Sequence, residues 1–113
     1  MRTIILAVAL SLSFAAPVLA DDFDDSLAKV KQAVEIQRDL ACPSAPSTSL
    51  CRLEFMVVNS HFDSIGMRVS TAKIRSHMGS QVDTEALSRD VHDEMAKATE
   101  EYTALINKYP VKK

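Results

Sequence analysis

Between Ser49 and Met78 the apolar residues Cys51, Phe55, Val58, Phe62, Ile65, Val69 and Ala72 recur every three or four positions. One face of an α-helix comes round at that interval, so the spacing predicts a single long helix with a heptad-like seam. Gly79 stands where a left-handed residue commonly closes a helix. Gly66 lies inside the segment at a cost of about 1 kcal/mol relative to alanine, and either permits a close helix crossing or marks a kink.

Two shorter amphipathic segments flank this one. From Asp22 to Ala41 the positions Phe23, Leu27, Val30, Val34 and Ala41 form a stripe that Ala33, Ile36 and Leu40 widen. Asp22, Asp24 and Asp25 place negative charge in its first turn, where the helix dipole favours it, and Pro43 and Pro46 stop it. A third helix is expected after GSQVD, with Ser80 or Asp83 as its cap and Leu87, Val91, Met95, Ala98, Tyr102, Leu105 and Tyr109 along one face. Pro110 ends it, and Lys108, Lys112 and Lys113 gather positive charge at its C-terminal end. No useful run alternates with period two. The fold class is therefore all-α: an antiparallel three-helix bundle dominated by a long helical hairpin.

The segment before these helices has a different character. Residues 1–20, MRTIILAVALSLSFAAPVLA, join one basic residue, Arg2, to an apolar run from Ile4 to Leu12 and a small-residue pattern ending at Ala20. This is the pattern of a secretory signal peptide, and the run is too short and interrupted for a spanning anchor. Asp21 follows, so no lipidated cysteine is expected there. The expected mature chain, residues 21–113, is one helical domain, periplasmic or secreted, with no membrane span after leader removal.

Export gives the two cysteines a meaning. Cys42 and Cys51 flank a loop rich in proline and serine, and in an oxidising compartment they are expected to form one intramolecular disulfide. Closing a loop of about ten residues contributes roughly 2.5–3 kcal/mol in the chain-entropy model, a large share of a small domain's stability. The spacing is not CxxC, and no further cysteine is present to complete a zinc site. The formal charge is −2 for the whole chain and becomes one unit more negative when Arg2 is removed. Without a basic stripe or an aromatic stacking platform, a nucleic-acid partner is not expected.

Helix lengths then locate a candidate surface. The second helix, at about 45 Å, outreaches the first, at about 30 Å, leaving the tip of the hairpin uncovered. Ile74, Met78, Val82 and Leu87 are the candidate interface there, needing a local fold-over, a partner or a second copy in a homodimer. Arg68, Lys73 and Arg75 make this end basic and face the acidic start of the first helix. Surface ion pairs are the expected use of these charges, and recruitment of an acidic partner or an anionic lipid surface the sharper one.

Candidate chemistry is sparse. His77 and Met78 are adjacent, and His92 and Met95 share a helix face, a set compatible with copper, although methionines at helical spacing are ordinary core filler. SHFD, residues 60–63, offers Ser60, His61 and Asp63, but on one helix these diverge, whereas a catalytic triad converges. Neither HExxH nor a phosphate loop occurs. The ends DDFDDSL and YTALINKYP resemble those of exported helical bundles of the cytochrome b562 type over about fifteen residues. That resemblance implies a bundle, and in that family a methionine in the first turns and a histidine near the last turn hold haem. The comparable positions here are Leu27 and Thr103, and no CxxCH is present. The expected function is therefore that of a non-enzymatic interaction module without cofactor, acting on an exported or envelope protein as an inhibitor, adaptor, chaperone or secretion or conjugation accessory. The alternative is a periplasmic copper or haem carrier of four-helix-bundle type.

Overall fold

The computed structural model describes residue 19 and residues 21–111. The expected leader, apart from Leu19, and the terminal Lys112 and Lys113 lie outside the described residues. Among the described residues three α-helices follow one another: α1 (Asp21–Ala41), α2 (Thr48–His77) and α3 (Thr84–Lys108), with a 3-10 turn (Cys42–Ser44) after α1. Each boundary has a local cause. The chain leaves α1 at Cys42-Pro43, and Ser47, in extended backbone, starts α2 by accepting the Leu50 amide at 3.2 Å. Gly79, at φ 84°, closes α2: the Ser80 amide reaches the Arg75 carbonyl at 3.0 Å and the Gly79 amide reaches Ser76 at 3.1 Å. That pair of bonds is the Schellman arrangement, which requires the left-handed glycine. Of the two cap candidates for α3, Asp83 serves, its carboxylate accepting the Ala86 amide at 3.0 Å.

All seven seam residues of α2 are buried, and six of them, from Cys51 to Val69, share one core with Phe23, Leu27, Val30 and Val34 of α1 and Val91, Met95, Ala98 and Tyr102 of α3. Leu105, Ile106 and Tyr109 extend this core toward the disulfide. The long α2 is thus the central element of the bundle, and the 51 Å long axis of the molecule matches its 30 residues.

Cross-helix contacts fix the antiparallel register. Along α1 and α2, Asp24 pairs with Lys73, Lys31 with Asp63 and Cys42 with Cys51. Along α2 and α3, Glu54 meets Lys108 at 3.1 Å, His61 meets Glu101 at 2.6 Å and Arg68 meets Glu94 at 3.0 Å. Each seven-residue step up α2 is answered by a seven-residue step down α3, the flanking-charge pattern of a heptad seam. Between α1 and α3, the Tyr102 hydroxyl donates to the Ala33 carbonyl at 3.3 Å. Burial pushes the Tyr102 phenol up, which keeps its proton in place as that donor.

Two expectations are corrected or decided. Ile36 and Leu40 do not widen the core stripe of α1 but stand exposed. The inward position between Val34 and Ala41 belongs to Gln37, which is buried to 1% exposure with its Nε2 unpartnered. The period decides this: residues 30, 34, 37 and 41 share a face, and 36 and 40 lie well to its side. Gly66 marks a close approach rather than a break, since α2 runs unbroken through it and a β-carbon there would lie 3.1 Å from Leu27 Cδ2.

Candidate interaction surface

The outer face of α2 carries Met56, Ser60, Asp63, Met67, Thr71, Ile74 and Met78, separated by steps of four and three and therefore stacked along one side of the helix. Its polar members are already engaged. Ser60 and Thr71 donate to the Val57 and Met67 carbonyls at 2.7 and 2.9 Å, and Asp63 pairs with Lys31 of α1. Its apolar members face outward: Met56 is 58% exposed, Met67 72%, Ile74 59% and Met78 78%. Met67 and Ile74 overlook a groove between α1 and α2 floored by Leu27, Ala28 and Gly66.

The four residues singled out at the hairpin tip divide into two pairs. Ile74, on α2, and Met78, its C-cap residue, are exposed, whereas Val82 and Leu87 are half-buried and Leu87 packs against the core. Local fold-over by the loop therefore covers part of the tip, and the residues left open continue the α2 stripe. The basic residues are mostly neutralised, Arg68 by Glu94 and Lys73 by Asp24, while Arg75 lines a cleft with Val82, Asp83 and Leu87. The acidic start of α1 does meet this end of α2, through Asp24.

More apolar surface lies nearer the disulfide. Leu50, Leu53 and Val57 are exposed along another face of α2, and Ile36 and Leu40 along α1. None was anticipated as surface, although the spacing of Leu50, Leu53 and Val57 at intervals of three and four, off the seam, marks a second face.

The remaining candidates are dispersed. The SHFD side chains take three different partners: Ser60 turns to its own helix, His61 to Glu101 on α3 and Asp63 to Lys31 on α1. His77, Met78 and His92 are exposed while Met95 is buried at 1% exposure. In the observed register His77 and His92 are offset by about seven residues, or roughly 10 Å along the helices. Among the described residues, no group of three or more histidine, cysteine or acidic side chains is placed to hold a metal ion.

The disulfide end holds a connected polar cluster. Glu54 accepts the Tyr109 hydroxyl at 2.6 Å and Lys108 Nζ at 3.1 Å. The Tyr109 hydrogen bond, more than Lys108, holds the Glu54 carboxyl below its usual range, and the same carboxylate raises both Lys108 and Tyr109. Lys108 Nζ also stands 5.3 Å from the centre of the Tyr109 ring. This cluster anchors the end of α3 beside the staple.

These features define an all-α antiparallel bundle stapled by one disulfide. No family model, curated protein or solved structure matches the chain. Among the described residues, no helix is long and apolar enough to cross a membrane.

Proposed function

We propose that this chain is a small exported protein that docks another exported or envelope protein along the outer face of α2, as an inhibitor, adaptor, chaperone or secretion accessory does. The observation that carries the reading is the run of Met67, Ile74 and Met78, large apolar side chains exposed at one-face spacing. An isolated exposed apolar residue is ordinary, but an aligned series is the pattern by which helix faces are recognised. The partner chemistry that fits is an apolar segment, helical or extended, lying along the groove between α1 and α2. Unbranched methionine side chains adapt to such a segment. Export is supported by the leader pattern of residues 1–20 and by the Cys42–Cys51 disulfide.

The test compares the tagged mature protein with an Ile74→Glu/Met78→Glu variant, each recovered from the exported fraction after mild crosslinking. A protein recovered in stoichiometric amount with the parent and lost with the variant is the expected result. A partner that is a second copy, forming the homodimer that the uncovered tip suggests, is recognised by a doubled mass. Equal recovery with both proteins contradicts the reading.

A further inference from the structure

Four methionines lie in the described part of the chain, and three of them, Met56 and Met67 in α2 and Met78 at its C-cap, are spaced by eleven residues. Eleven residues make very nearly three helical turns, so the three thioethers stand on one face about 16 Å apart. Their exposures are 58%, 72% and 78%, whereas Met95, in the core, has 1%. The hydroxyls and the carboxylate between them are turned to backbone carbonyls or to Lys31. What this face offers a small reagent is therefore chiefly thioether sulfur.

We propose that Met56, Met67 and Met78 form a co-facial set of sulfoxidation sites through which a peroxide-class oxidant converts the outer face of α2 from apolar to polar without disturbing the fold. In each event the thioether sulfur attacks one peroxide oxygen. A sulfur–oxygen bond forms, the oxygen–oxygen bond breaks, and a proton moves to the departing oxygen, which for hydrogen peroxide leaves as water. The sulfur is oxidised by two electrons and the peroxide reduced by two. A methionine sulfoxide reductase, drawing two electrons and two protons from a dithiol that is oxidised to its disulfide, reverses the change and releases water. Sulfoxide replaces a flexible apolar group by a polar one, so three such changes act together on one face. The core is spared because its one methionine is enclosed by the helices. The consequence for partner binding rests on the docking role proposed above for this face; the modification itself does not.

The experiment treats the folded mature chain, disulfide intact, with graded hydrogen peroxide and maps the added oxygen by peptide mass spectrometry. Met56, Met67 and Met78 are expected to gain one oxygen each, with Met95 at least about tenfold slower until the protein is unfolded. The triply oxidised protein keeps its helical circular dichroism and elutes earlier from a hydrophobic-interaction column. A Met56→Leu/Met67→Leu/Met78→Leu variant shows no such shift after the same treatment. Oxidation of Met95 at a comparable rate, loss of helical signal on oxidation, or unchanged elution of the parent would each overturn the proposal. These readouts need no partner, so a failure to recover one in the crosslinking test counts against the docking role alone.

Discussion

The two ends of the bundle are built differently. At the disulfide end three independent devices converge: the Cys42–Cys51 bond with Cα atoms 5.5 Å apart, the Thr48 hydroxyl on the Cys42 carbonyl at 3.2 Å, and the Glu54, Tyr109 and Lys108 cluster. At the tip α1 is already at its first turns where Asp24 meets Lys73, and the closing turn is held by the backbone bonds around Gly79 and by the Asp83 cap. A hairpin joined by a proline-serine loop is fixed by covalent and side-chain links, whereas one joined around a left-handed glycine is fixed by backbone geometry. The first end is therefore expected to carry more of the stability. The second leaves Ile74 and Met78 open.

Removing the staple should break that contrast most strongly. A Cys42→Ser/Cys51→Ser variant is expected to lose about 2.5–3 kcal/mol, or roughly 10–20 °C in melting midpoint, with amide exchange rising first across residues 42–50. Equal acceleration at residues 76–83 would mean that the two ends do not differ in this way. Next in size is Gly79→Ala. Apart from Gly79 itself and its two chain neighbours, no heavy atom lies within 4 Å of the position a β-carbon would take, so the cost is the backbone conformation, about 1–2 kcal/mol, read as a denaturant midpoint shift.

The Glu54 cluster sharpens the comparison through pH. The folded carboxyl is depressed below its ordinary 4.5, so its contribution is present above that pH and is lost as acidity carries the protein down through the folded value. Lys108 and Tyr109 are raised from 10.5 and 10.0, so their contribution is present below those values and fades as pH rises through the folded ones. Glu54→Gln should therefore flatten melting midpoint against pH at both edges; an unchanged profile would remove the cluster from the account. The smallest stability effect is expected at the tip, where Ile74→Glu shifts the midpoint by no more than about 3 °C because the side chain already faces water. A much larger loss would show that Ile74 serves packing.

Much of this was legible in the residues. The α2 seam was readable position by position because apolar period and burial coincide there, and the proline and glycine punctuation located both turns. Gln37 was not readable: a polar residue occupies the inward position of α1, while Ile36 and Leu40, which look like core, lie to its side. Pairings such as Tyr109 with Glu54, 55 positions apart, depend on hairpin register, which composition does not carry. The sevenfold spacing of Glu54, His61 and Arg68 against Lys108, Glu101 and Glu94 was present in the sequence, but it becomes a register only once the Gly79 turn is fixed. The exposed methionines were hidden by a sound general rule, that methionine at helical spacing fills cores, which Met95 obeys and the other three do not.

The central claim is that the outer face of α2 is the working surface. The most direct measurement places a photoreactive residue at Thr71, within that face, and separately at Asp93, exposed on α3, and irradiates each in the exported fraction. A discrete adduct with one partner, or with a second copy of the chain, from position 71 and not from position 93 is the predicted result. Adducts of equal yield from both positions, or none from position 71, would contradict it.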